Sequence, residues 1–173
     1  MRATFEKGTL RELEDCYISI GSKTILMNIL PDISDSKSAS YPDENAQGRS
    51  MPFKSYRNSE NRSISWTAHF IIQQEGDQDI ILDYLRLIES ALYPMDSAGT
   101  TYSPPPICNI RCGKLLRKDG DLCAVMKSYS VKFDTNVPWD EISFMPYKLD
   151  VDMQFDVVYD QSMLPGSETI LQD

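Results

Sequence analysis

At 173 residues, 41% hydrophobic and 25% charged, the chain suits one domain with one core and does not read as wholesale disorder. The formal net charge of −9 disfavours tight nucleic-acid binding, which needs cations to neutralise phosphates. Residues 1–7 hold no apolar signal core, and no apolar run approaches the roughly 20 residues that span a bilayer, so a soluble, membrane-free protein with no signal-peptide export is expected.

Residues 1–16 carry charges and few apolar anchors and are expected to form a short N-terminal arm. Tyr17 to Ile20, a Gly21-Ser22 turn and Lys23 to Leu30 read as an opening hairpin that Pro31-Asp32 ends. Residues 31–60 are rich in serine, proline and asparagine and lack periodicity. They are expected to be one long loop, ordered only on assembly, with Met51, Phe53 and Tyr56 as apolar anchors for a neighbouring subunit or for the loop's own domain. Arg62 to Ile72 alternates, with Ile64, Trp66, Ala68, Phe70 and Ile72 on one face and Ser63, Ser65, Thr67 and His69 on the other. Asp77 is the expected N-cap of one helix over about 78–93, with Ile81, Tyr84, Leu85, Ile88 and Leu92 forming its apolar face.

Three prolines, 104–106, lead into a short strand over 107–112. Lys114, Arg117 and Lys118 form the most basic cluster, on a turn marked by Asp119-Gly120. Leu122 to Phe133 reads as a strand with Val125, Tyr129, Val131 and Phe133 on one face. Residues 134–146 are a loop carrying Trp139 and Phe144. The strongest pattern follows over 147–159, where Tyr147, Leu149, Val151, Met153, Phe155, Val157 and Tyr159 alternate with polar residues, among them Asp150, Asp152 and Asp156. This is a long strand with a buried face and an acidic wet face. Residues 161–173 read as an irregular tail. The expected fold is mainly β (α+β): a single domain built as an antiparallel sandwich or barrel of about six or seven strands with one flanking helix.

Catalytic signatures are missing. No phosphate loop, GxGxxG, GxSxG or HExxH is present, and His69 is the one histidine. Cys16, Cys108, Cys112 and Cys123 lack the knuckle spacing of a zinc ribbon and read as reduced thiols, with a disulfide left open. No catalytic residue, cofactor or metal is expected, and His69 reads as a hydrogen-bonded strand histidine rather than a general base.

Five phrases occur in a characteristic order. They are Asn61-Arg62-Ser63-Ile64-Ser65-Trp66-Thr67, Glu89-Ser90-Ala91-Leu92-Tyr93-Pro94, Ser103-Pro104-Pro105-Pro106-Ile107-Cys108-Asn109-Ile110-Arg111-Cys112-Gly113, Ser128-Tyr129-Ser130-Val131 and Met145-Pro146-Tyr147-Lys148-Leu149-Asp150-Val151. In these the chain resembles the tail-tube fold family of contractile-tailed phages, most of all the baseplate tube initiators, over roughly residues 17–160. It is also similar to the N-terminal part of small LysM-bearing baseplate proteins, though too little follows Asp160 for a peptidoglycan-binding module.

The resemblance implies a virion structural protein: a homo-hexameric ring between the baseplate hub and wedge proteins and the tail-tube protein, whose negatively charged channel passes DNA without specific binding because like charge keeps it from adhering. It places Asp150, Asp152 and Asp156 towards the channel, the long loop on an adjacent subunit, and Lys114, Arg117 and Lys118 against a neighbouring ring. The alternatives are the main tail-tube subunit, a type VI secretion tube protein, a LysM-less hub adaptor, a monomeric binding module, and a hydrolase using Asp and His69.

Overall fold

The computed structural model describes residues 15–45, 47–48, 50–74, 76–94, 103–117 and 120–158. Most of the expected N-terminal arm, the C-terminal tail, Tyr159 and Lys118 lie outside them. The described elements are β1 (Cys16–Ile20), β2 (Lys23–Leu26), β3 (Asp32–Ser36), β4 (Ala39–Ser40), β5 (Asp43–Glu44), β6 (Phe53–Lys54), β7 (Asn58–Ser59), β8 (Ser63–Ile71), α1 (Asp77–Ser90), β9 (Cys108–Cys112), β10 (Leu122–Phe133) and β11 (Lys148–Val157). The protein is mainly β, with one seven-stranded antiparallel sheet in the order β2-β1-β9-β10-β11-β8-β3.

Strand β11 lies inside the sheet, with β10 on one side and β8 on the other. Because side chains alternate along a strand, Leu149, Val151, Met153, Phe155 and Val157 all enter the core and the residues between them face away. The pairings Met153↔Trp66, Val151↔Ala68, Leu149↔Phe70 and Phe155↔Ile64 put the apolar set of β8 on the same side.

The parity of β10 changes part-way. Leu122, Ala124 and Met126 are buried, whereas beyond them Tyr129 and Val131 pack against the core. The cause is a bulge: Met126 pairs with Phe155 and Ser128 with Gln154, so Lys127 is an extra residue. This corrects the expectation that Val125 shares a face with Tyr129 and Val131; one inserted residue exchanges the two faces.

The sheet is strongly curled. Its outermost strands, β2 and β3, are neighbours in sequence, joined only by residues 27–31. A flat seven-stranded sheet would hold its edges about 29 Å apart at roughly 4.8 Å per strand. The link from Leu26 to Asp32 reaches at most about 21 Å when fully extended. The edges therefore approach each other, and the sheet forms an open barrel whose inner face is one continuous core. Met27 and Pro31, within the link, are buried. The guanidinium of Arg62, before β8, donates to the Leu116 carbonyl, after β9, at 3.1 Å.

Helix α1 contributes Ile81 and Ile88 to the core, with Tyr84, Leu85, Leu87 and Leu92 packed against it. The N-cap is Gly76, at φ 103, rather than Asp77. The Asp77 carboxylate instead turns back and accepts from the backbone N–H groups of Gln73 and Gln74 at 3.0 and 2.9 Å, fixing the chain that enters the helix. The opening hairpin turns at Gly21, φ 61, and its second strand stops at Leu26 rather than Leu30.

The long loop expected over 31–60 is a ladder. β3 joins the main sheet, and beyond it β4 pairs with β7 and β5 with β6. Glu60 N–H to Ser38 O at 2.9 Å, Arg57 N–H to Ser40 O at 3.0 Å and Ser55 N–H to Pro42 O at 3.3 Å make the ladder nearly continuous. From Ser36 to Glu44 this arm projects about 26 Å at 3.3 Å per residue. This pairing corrects the expectation of one unpatterned loop: the segment is built of short paired strands. The sequence showed no alternation because both faces of the arm meet solvent, so main-chain pairing alone defines the strands.

Phe155 is fully buried at the centre of the core. Phe155→Ala is expected to lower the unfolding free energy by about 3–5 kcal/mol through lost burial and a residual cavity, measured by urea denaturation.

Candidate functional site

Two surfaces carry unusual chemistry: the outward face of β3, β8, β11 and β10, and the projecting arm. The outward face presents Asp32, Ser65, Thr67, His69, Lys148, Asp150, Asp152, Gln154 and Asp156 in adjacent rows. Asp150 and Asp156 are half-buried and Asp152 is exposed.

Each of these carboxylates is engaged. Asp150 meets His69 Nδ1 at 2.6 Å and Lys148 Nζ at 3.2 Å. Asp152 accepts from Thr67 Oγ1 at 2.6 Å. Asp156 pairs with Lys127 Nζ at 3.1 Å, so the bulge residue supplies a cation. Lys132 lies opposite Asp150 on β10. The three aspartates share one face, as expected; Asp156 is paired with Lys127 of β10 and Asp150 with Lys148 of its own strand, while Asp152 meets the Thr67 hydroxyl. The partners of these aspartates were not visible from β11, because one strand's alternation says nothing of its neighbours' register.

His69 lies between carboxylates of the two neighbouring strands. Its Nδ1 faces Asp150 and its Nε2 faces Asp32 Oδ2 at 3.3 Å. The imidazole bridges three strands. Among the described residues no group of three or more metal-ligating side chains comes together, and no helix is long and apolar enough to cross a membrane.

Burial pushes the Asp150 carboxyl up, but hydrogen bonds and charge from His69 and Lys148 outweigh it and hold the group below the ordinary carboxylate range. Asp35, at the base of the arm, is held low by hydrogen bonds from Arg62 at 2.9 and 3.0 Å, against a smaller effect of burial.

The arm carries the expected anchors. Met51 is 78% exposed, Phe53 in β6 is 56% exposed and Tyr56 is 59% exposed. None of them is pinned into the core. Tyr56 instead packs edge-on against Tyr41, ring centroids 5.6 Å apart, and its hydroxyl lies 2.9 Å from Ser59 Oγ. Tyr41, also more than half exposed, was not singled out in the sequence; its position across the ladder from Tyr56 supplies the signal. The arm is laced by Lys54–Asp43 at 3.3 Å, Ser55 Oγ to Glu44 at 2.7 Å and a short Ser38–Glu60 hydrogen bond.

Lys114 and Arg117 lie on the β9–β10 turn, where Lys114 is exposed and Arg117 is half-buried, reaching the Asp121 carbonyl at 3.5 Å. At the opposite end of β10, the 134–146 loop holds Ile142 at 91% and Phe144 at 79% exposure. Phe144 adopts φ 53, a conformation disfavoured for an aromatic residue. The loop is fixed by Asp140, whose carboxylate accepts from Ser143 N–H at 3.0 Å and Gln78 Nε2 at 3.3 Å.

No family model and no curated protein matches the chain.

The pairings of Asp150 on the outward face and of Asp35 at the base of the arm make acid stability a readout of both. Their carboxyls titrate lower in the folded chain than the unfolded value near 4, so their stabilisation is complete above about pH 4 and is lost as pH falls through the folded values. Thermal midpoints are expected to drop below pH 4, and Asp150→Asn, less stable at pH 6, is expected to show a shallower drop. Parallel curves for the two proteins would remove Asp150 from this role.

Proposed function

We propose that the chain is a structural, non-enzymatic subunit that assembles as a ring around a passage, in the manner of the baseplate tube initiators it resembles. The observation that carries the reading is the arm. A two-stranded ribbon of this length is marginal alone in water, because it has no core of its own. This one nevertheless displays Tyr41, Met51, Phe53 and Tyr56 to solvent, more than half exposed in each case. Aromatic and methionine side chains are the types that anchor protein interfaces, and an arm that leaves its own barrel presents them at a distance suited to a neighbouring copy.

In this reading the barrel is the wall element and the arm is the fastener. A ring of six copies would sit between hub and wedge proteins and the tail-tube protein in a virion baseplate. The face bearing Asp150, Asp152 and Asp156 would line the bore, where negative charge would keep DNA from adhering. Lys114 and Arg117 would meet an adjoining ring. The same arm would serve a main tail-tube subunit equally well; that reading predicts open-ended tubes from the purified protein alone.

Native mass measurement and negative-stain imaging test the proposal. Rings, formed alone or on addition of a hub partner, are expected. Phe53→Asp together with Met51→Asp is expected to abolish rings while leaving the thermal midpoint of the monomer within about 2 °C, since surface substitutions away from a core change stability little. A monomer under all conditions, with partners supplied, would overturn the reading.

A further inference from the structure

A pair of cysteines in the core is arranged for a reaction that the proposed assembly does not require. Cys16 on β1 and Cys112 on β9 are directly opposed in the antiparallel register. Both are 3% exposed, and their sulfurs lie 3.5 Å apart, with the Cys16 thiol donating to the Cys112 sulfur. The adjoining pair is Asp15 and Gly113, in which Gly113 N–H donates to Asp15 O at 2.7 Å. Hydrogen-bonded and non-hydrogen-bonded pairs alternate along an antiparallel ladder, so Cys16 and Cys112 form a non-hydrogen-bonded pair. Such pairs bring their Cα atoms to about 4.5 Å, inside the roughly 4.4–6.8 Å that a disulfide bridges. Reaching the bonded length of about 2.05 Å needs side-chain rotation and no change of register.

The other two cysteines are placed differently. Cys108 is buried at the far end of β9, opposite Ile20, and Cys123 is exposed on β10, its thiol donating to Asn109 Oδ1 at 3.4 Å.

We infer that Cys16 and Cys112 are an oxidisable dithiol site that closes to a cross-strand disulfide when the chain meets a low-molecular-weight disulfide. One thiol loses its proton, and its sulfur attacks the small disulfide, forming a mixed disulfide and releasing one small thiolate. The second thiol loses its proton, and its sulfur displaces the other small thiolate. One S–S bond forms between the two Sγ atoms as one breaks in the oxidant. Two electrons pass to the oxidant, and the two protons end on the two released thiols. The bond ties β1 to β9 across 96 positions of chain, a long loop whose closure strongly restricts the unfolded ensemble. Burial and the neighbouring sulfur push the Cys16 thiol well above its usual range, so the thiolate forms mainly when the start of β1 opens, and exchange is slow in the closed barrel.

The test uses the full chain carrying Cys123→Ser, which removes the exposed competitor and leaves the pair intact. The reduced protein is incubated with oxidised glutathione, both folded and during refolding from urea, then alkylated and peptide-mapped. A Cys16–Cys112 linked peptide is expected, with the chain lighter by two hydrogens and Cys108 alkylated. Hydrogen exchange at the Met27 and Gly113 amides, which bond to Cys16 O and Asp15 O, is expected to slow by on the order of tenfold on oxidation. A linkage through Cys108, a persistent glutathione adduct, or three alkylatable thiols after both treatments would overturn the inference.

Discussion

The structure depends on β11 being hydrogen-bonded along its length on both sides. A strand held between two partners presents its side chains in only two sets, and a slip of one residue would send Leu149, Val151, Met153, Phe155 and Val157 into water. That cost fixes the register of β8 and β10, and their register in turn decides what stands beside each aspartate. The core and the polar face are thus two sides of one constraint. His69 reaches Asp150 because Phe70 must sit beside Leu149.

The same constraint explains what was legible in the sequence. Where one face is buried and the other is wet, alternation records the burial, and the strands around 17–20, 62–72 and 147–157 read correctly, as did the helix with Ile81 and Ile88 inward. Three features escaped. The arm has no dry face, so its strands left no hydrophobic period. The bulge at Lys127 is a single inserted residue that inverts the apparent alternation of β10. The Asp77 side chain bonds backwards rather than forwards, a choice set by Gly76 in the left-handed region. The polar face was half legible: its carboxylates were visible in β11, but Lys127, Thr67 and His69 join them only through pairing across distant segments.

The molecule divides its labour between a stiff barrel and an extended ribbon. In the barrel, apolar burial is complete enough that Trp66, Ile64, Val151 and Met153 are wholly enclosed. In the ribbon, order comes from main-chain pairing, a few side-chain bridges and the Tyr41–Tyr56 contact. Arg62 stands at the junction, holding Asp35 at the arm's base and the Leu116 carbonyl behind the β9–β10 turn. Arg62 thus links the end of β3, from which the arm leaves, to the β9–β10 turn.

The sheet order also bears on how the chain comes into being. The last strand among the described residues is wedged between two that precede it, so β8 and β10 each keep a bare edge until β11 has emerged. During synthesis those edges are templates for unwanted pairing with other nascent chains, and the delay is longest for β8.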